Sequence, residues 1–301
     1  MNNKIILIGC GNVGTSFAYA LLNQNTAVNE LVLIDINQDK VIGEVMDLNH
    51  SLPFAPSKIK IKVGTYQDVK DAKIVCITAG INQKVGETRL DLINKNKKII
   101  EEIVDNVLKN NFNGIFLIAT NPVDIITNIV YQRSKFPKNK VIGTGTSLDT
   151  SRLRHLISQK LNINPNNVHA YVLGEHGDSE FVPWSISTIG LNNINNYLTK
   201  KELKDIQLEV KESAYKIIEK KGFTNFGIGV CLVRIVNAIL NDENSIITVS
   251  SYHEENNIYI SQPVIINKDG IKEIIKLNLT IDEQILLNKS INTLKEIKLN
   301  L

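Results

Sequence analysis

Lys4-Ile-Ile-Leu-Ile-Gly9-Cys-Gly11-Asn-Val-Gly14-Thr-Ser-Phe-Ala-Tyr-Ala-Leu-Leu22 is the stretch that decides the fold. Lys4 to Ile8 is a short apolar run, as a strand buried on both faces requires. A glycine loop follows, and Thr15 to Leu22 reads as a helix rich in Ala and Leu. Gly9 permits a tight turn, Gly11 lets the backbone approach a pyrophosphate, and Gly14 lets the helix pack on the strand. The helix N-terminus then faces the anion. A lone G-x-G-x-x-G run is weak, but a second strand, Leu31 to Ile34, ends in Asp35 about twenty residues past the last glycine. A carboxylate there accepts hydrogen bonds from a ribose diol and repels a 2′-phosphate, which favours NAD over NADP. Val13 lies in the same loop. Lys40 and Tyr66 are candidates for the adenosine pocket, or plain surface residues.

Working outward, a helix over Gln38 to Leu48 is followed by strands at Ile59 to Val63, Ile74 to Thr78, Ile115 to Ile118 and Val141 to Thr144. Strands alternating with helices predict an α/β fold with a doubly wound parallel Rossmann sheet. Ligands of such sheets sit beyond the carboxyl ends of the strands. That edge makes Gly80, Ile81, Thr120, Asn121 and Thr144 further cofactor-binding candidates. Asn121-Pro122 is a candidate cis bond in a functional turn. The polar stretch Ile81 to Arg89 has the character of a lid, and Arg89 can either swing in to polarise a carbonyl or remain an exposed loop arginine.

The chain of 301 residues exceeds what one core normally serves, so we expect two domains, residues 1–145 and 146–301. Its net charge of +3 without a Lys/Arg block leaves no footprint for nucleic acid. The N-terminal apolar run is too short for a signal peptide or a membrane span. Cys10, Cys76 and Cys231 have no paired spacing, which suits a reducing, cytoplasmic setting and argues against disulfides and a metal site.

In the second half, a helix from about Ser147 to Lys160 carries Asp149, Arg152 and Arg154. Asp149 and Arg152, three apart, share a face. Arg152 offers a planar fork suited to a carboxylate. Asp149 can hold an imidazole in one tautomer, and His176, in Gly174-Glu-His-Gly-Asp178, can move a proton near neutral pH. The alternative is an ordinary ion pair and a loop histidine. Arg154 is about 200° around the helix from Arg152 and should face away from the site. Val168 to Leu173 reads as a strand with His169 at its start. Helices are expected over Glu202 to Lys221 and Phe226 to Leu240, with Thr224 between them as a substrate contact or an N-cap. Ser245 to Tyr252, Ile258 to Ile260 and Val264 to Ile266 read as antiparallel strands, giving an α+β substrate domain. The last helix, Ile281 to Leu299, reads as a packing element with no part in catalysis.

Taken together, Gly9 to Gly14, Gln83-Lys-Val-Gly-Glu-Thr-Arg-Leu-Asp91, Ala119-Thr-Asn-Pro-Val-Asp124, Asp149 to Arg154 and Gly174 to Asp178 resemble the L-lactate dehydrogenases over essentially the whole chain. The resemblance implies His176 as acid/base, Asp149 as its partner, Arg152 as carboxylate anchor and Arg89 as mobile carbonyl polariser. Asn121, Asp124 and Thr224 would line the substrate site. Pyruvate and L-lactate would be the substrates and NAD the cofactor. Malate dehydrogenases of the same superfamily carry arginine where this chain has Gln83, so a neutral side chain there favours pyruvate over oxaloacetate. Arg154 and His169 resemble the pair that holds fructose 1,6-bisphosphate between subunits of bacterial members, which implies an allosteric homotetramer. The chain lacks the N-terminal arm of vertebrate members, and Glu102 stands where bacterial relatives often have a small hydroxyl residue. Other expectations compatible with the residues are a malate or other 2-hydroxy-acid dehydrogenase, and a non-catalytic NAD-binding protein.

Overall fold

The computed structural model describes residues 3–81 and 89–299, with the side chain of Arg89 outside that description. Strand β1 (Lys4–Ile8) feeds helix α1 (Asn12–Leu22), then β2 (Glu30–Ile34), α2 (Gln38–Ser51), β3 (Lys60–Val63) and β4 (Ile74–Ile77). Helix α3 (Arg89–Lys109) precedes β5 (Ile115–Ile118), α4 (Val123–Ser134) and β6 (Val141–Gly143). Pairing is parallel in the order β3-β2-β1-β4-β5-β6. The chain reverses direction across the sheet beside β1, so the glycine loop opens at the crevice where ligands collect.

The second half begins with α5 (Ser147–Leu161) and a small sheet of two-residue strands, β7 (Val168–His169), β8 (Thr188–Ile189) and β9 (Asn192–Asn193). Helices α6 (Lys200–Lys221) and α7 (Phe226–Leu240) follow, then β10 (Ser245–His253), β11 (Ile258–Asn267), β12 (Gly270–Ile274) and α8 (Ile281–Leu299). Helix α6 opens on a reciprocal capping box, Thr199 with Glu202, and stops at Gly222 in the left-handed region.

Several elements differ from the sequence reading. Helix α4 lacks an apolar stripe because nearly every residue in it is buried, so periodicity gives no sign of it. The strand expected over Val168 to Leu173 is only two residues long, and beyond it the chain makes isolated bridges at Leu173 and Gly174. The two strands expected either side of Pro263 are one, β11. Pro263 falls just past Val264, the last residue paired with β12, so its missing N–H interrupts no bond on that side.

Strands β10, β11 and β12 pair antiparallel, as expected, and they extend the parallel sheet, with Ser250 of β10 against Gly143 of β6. The apolar clusters on both sides of the sheet therefore mix the two halves. One joins Ile5, Leu31 and Ile142 with Val236, Val249 and Val264, while the other joins Ile77 and Ile118 with Tyr259 and Leu294. A third cluster, Leu153 to Val210, belongs to the second half alone.

Candidate active site

Close approach, not side-chain chemistry, shapes the glycine loop. Gly9 has φ +98°, and a Cβ there would lie 2.4 Å from the Ala79 amide nitrogen. A Cβ on Gly14 would lie 2.1 Å from the Gly9 carbonyl oxygen and 2.7 Å from Thr78 Oγ1. Gly11, the N-cap of α1, faces open space: no atom lies within 4 Å of the position a Cβ would take. Bare backbone thus fronts the positive end of the α1 dipole, which suits a pyrophosphate. Asp35 closes the loop, one carboxylate oxygen accepting from the Cys10 amide at 2.6 Å and the other from the Asn37 amide at 2.9 Å. Each oxygen retains a lone pair for a ribose hydroxyl. The residues present fit a dinucleotide.

The other cofactor candidates divide. Val13 is half-buried in the first turn of α1, and Gly80 and Ile81 are exposed beyond β4. Thr120 is buried with its hydroxyl spent on the Ala79 carbonyl at 2.7 Å, and Thr144 is buried just past β6. Lys40 is exposed in the first turn of α2. Tyr66 is half-buried, packs against one of the core clusters flanking the sheet and lies near Glu102 of α3. The Asn121-Pro122 bond is cis and Asn121 is exposed at the same edge. Asn96, missed in the sequence, fastens this edge together: its buried amide accepts from the Ile81 N–H at 2.9 Å and donates to the Asn121 carbonyl at 3.1 Å. It looks like any polar helix residue until the loops it spans are folded.

A second cluster joins Asp149, Arg152 and His176. Asp149 is 2% exposed in α5. One of its oxygens accepts from Arg152 at 2.9 Å, and the other lies 2.7 Å from His176 Nδ1. The ordinary ion pair and the imidazole partner are therefore the same carboxylate. Burial works against a charged His176, but the charge and hydrogen bond of Asp149 outweigh it and raise the ring to about 9. Burial likewise opposes ionised Asp149, and the His176 and Arg152 charges hold it below its ordinary value. Arg152 is largely buried and spends one N–H on Asp149, leaving the rest of its fork available.

Asp124, expected to line the substrate site, is 2% exposed, with one oxygen accepting from the His176 backbone N–H at 2.8 Å and the other from Ser250 at 2.5 Å. Burial pushes it up to about 6 despite these bonds. It holds the histidine loop in place. Helix α8 also does more than pack. Ser290 is wholly buried, accepts from the Glu175 N–H at 3.2 Å and donates to the Ser179 carbonyl at 2.5 Å. Gly174, at φ +96°, would place a Cβ 2.4 Å from the Ser290 oxygen. A serine among lysines and asparagines carries no signal of this role.

Thr224 is half-buried between α6 and α7, and the residue that caps α7 is Asn225, which donates to Ser16 of α1 at 2.6 Å. Gln83 lies outside the described residues, as does the Arg89 side chain, although the Arg89 backbone opens α3. Arg154 turns away from Asp149, donating to the Ala170 carbonyl at 3.2 Å with its guanidinium 4.7 Å from the Tyr171 ring centre. His169 is exposed beside that segment.

A parallel sheet with a dinucleotide turn past β1, and a carboxylate-held imidazole whose loop is tied to the helix start past β5, has the parts of an NAD-dependent oxidoreductase. The lactate/malate dehydrogenase family models match residues 3–143 (NAD binding domain) and 146–300 (alpha/beta C-terminal domain). The chain belongs to that family. It is 50% identical over 305 residues to an L-lactate dehydrogenase of Oceanobacillus iheyensis, covering 98% of this chain and 95% of the relative. Among solved structures, a lactate dehydrogenase enzyme from a Medee basin deep-sea metagenome library superposes with a TM-score of 0.96 at 47% identity, covering 98% of each chain. A minor L-lactate dehydrogenase of Enterococcus mundtii in its ligands-bound form gives 0.96 at 43%, covering 98% of this chain and 97% of that one.

Proposed function

We propose that the chain is an L-lactate dehydrogenase, reversibly reducing pyruvate to L-lactate. The observation that carries this reading is Asp149 gripping Arg152 and His176 at once, 2.9 Å and 2.7 Å away. Bound NADH supplies the hydride. Arg152 anchors the substrate carboxylate with the part of its fork that Asp149 leaves free. Asp149 accepts from Nδ1–H, so Nε2 carries the proton given to the ketone oxygen. Arg89 polarises the ketone, Asn121 and Thr224 border the substrate, and Gln83 disfavours a second carboxylate. Glycines 9, 11 and 14, with Val13, Asp35, Gly80, Ile81, Thr120 and Thr144, form or back the cofactor side.

The same proposal includes a division of labour at residues 145 and 146, a cytoplasmic location suited to three free thiols, and a homotetramer activated by fructose 1,6-bisphosphate. Its support for the effector is that Arg154 turns from Asp149 to the Ala170 carbonyl and the Tyr171 ring, next in sequence to the exposed His169. Among the described residues no helix is long and apolar enough to cross a membrane.

The test follows NADH absorbance with pyruvate and oxaloacetate side by side, with and without fructose 1,6-bisphosphate. Pyruvate should be turned over at least about tenfold more efficiently, since an unpaired second carboxylate is strongly rejected. Preference for oxaloacetate would sink the substrate assignment. A pyruvate saturation curve unmoved by the bisphosphate would sink the effector.

A further inference from the structure

The loop that carries His176 also carries a buried carboxyl that the mechanism leaves unused. Glu180 is 4% exposed and sits just before Phe181, whose bridge to Leu173 folds the loop back on itself. Its amide donates to the Gly177 carbonyl at 3.3 Å. The fold-back delivers its carboxyl to the acid/base pair: one atom each of Glu180, Asp149 and His176 lie within 4.8 Å of one another. Two acids and a basic ring thus lie within reach of one another, with Arg152 of α5 beside them and Lys211 of α6 reaching the Asp178 carbonyl at 3.0 Å.

We propose that Glu180 acts through His176: lying within 4.8 Å of the ring and Asp149, its carboxyl sets how firmly the imidazole keeps the proton it gives to substrate. It is a positioning residue, and the proposal rests on His176 being the proton donor. The physical case is a charge count. Burial and the neighbouring Asp149 charge both resist a second anion here, and His176, Lys211 and Arg152 favour one only in part, so Glu180 is pushed up to about 8. Asp124 faces His176 from α4 and adds to the field on the ring. Near neutral pH Glu180 is a neutral acid. When it loses its proton, an anion appears beside the imidazolium and stabilises it, so the ring and the acid titrate as a coupled pair. The reactive proton is then retained to higher pH than Asp149 alone would hold it.

The experiment is a histidine titration by NMR on intact protein labelled with carbon-13 in its five histidine rings. His176→Gln assigns the resonance by removing it. Glu180→Gln keeps shape and deletes the charge, and the His176 midpoint should fall by about one pH unit. Glu180→Asp should restore at least half of that shift. A midpoint unchanged or raised in Glu180→Gln overturns the proposal. No substrate enters this measurement, so a moved midpoint in a protein that fails to reduce pyruvate would leave the coupling standing and remove the functional reading instead.

A kinetic readout accompanies it. The alkaline limb of kcat/KM for pyruvate should move down with the midpoint in Glu180→Gln. A uniform loss at every pH with the limb in place marks a merely structural residue and overturns the proposal. Should Glu180→Gln fail to fold, infrared spectra of the wild-type protein decide. A protonated carboxylic-acid band should bleach with a midpoint near 8, and its absence above about pH 7 overturns the proposal.

Discussion

The loop at Gly9–Gly14 and the loop at Gly174–Asp178 do opposite things with side chains. The first excludes them, since a Cβ at Gly9 or Gly14 would meet backbone at 2.4 or 2.1 Å. It binds through dipoles and amides that need no protonation state. The second gathers buried acids: Asp124, Asp149, Glu175 and Glu180 are each at most 4% exposed around one imidazole. Its geometry is held by carboxylates and serines, and its chemistry depends on which of them carries a proton. On the proposed reading, binding rests on shape and proton transfer on charge, and the two should fail separately.

The largest expected break is His176→Gln. Removing the proposed general acid should lower kcat for pyruvate reduction by about 10²–10⁴, while the NADH dissociation constant, read by fluorescence titration, stays within about threefold of wild type. Loss of both together would mean the loops are not separable. Gly14→Ala attacks the other side. The overpacked Cβ should cost about 1–3 kcal/mol in urea denaturation and weaken NADH about tenfold, with a much smaller effect on kcat at saturating cofactor. If NADH affinity holds, close packing of α1 on its strand is not what shapes the binding turn.

Ser290→Ala sharpens the contrast at lower amplitude. It strips hydrogen bonds from the histidine loop, so stability should fall by about 1–3 kcal/mol and kcat a few-fold with NADH affinity unchanged. An effect on cofactor affinity alone would contradict the buttress. The smallest effect is a slope. His176 rises from 6.5 to about 9 on folding. Its contribution to stability is therefore full below its unfolded value and is lost as pH climbs through the folded one. Denaturation midpoints of the wild type should decline across that window more steeply than those of His176→Gln, and equal slopes would argue against a charged, Asp149-held ring.

The same contrast explains what the sequence discloses. A glycine requirement is written at fixed spacing within one strand-turn-helix unit, so Gly9, Gly11, Gly14 and Asp35 can be read directly. The partners of the catalytic loop come from far along the chain: Asp124 is 52 positions from His176, Ser290 is 115 from Glu175, and Ser250 is 126 from Asp124. Nothing local marks them. Asp124 was legible as special, but its partners were not, because a sequence shows a carboxylate's presence and not its burial. Helix α4 and the joining of β10 to β6 escaped for a related reason, since both are decided by what covers them.

That joining of β10 to β6 has a mechanical corollary. Thr146 donates to the Ser261 hydroxyl at 3.1 Å, and Ser261 exchanges backbone bonds of 3.0 Å with Gly174, so the crossing from one half to the other is stitched by β11 itself. Apolar side chains from both halves interlock above and below it. The seam is a girder rather than a hinge, so cutting the chain after Gly143 would leave two fragments that each lack part of their interior. On heating, the intact protein should come apart in one cooperative step.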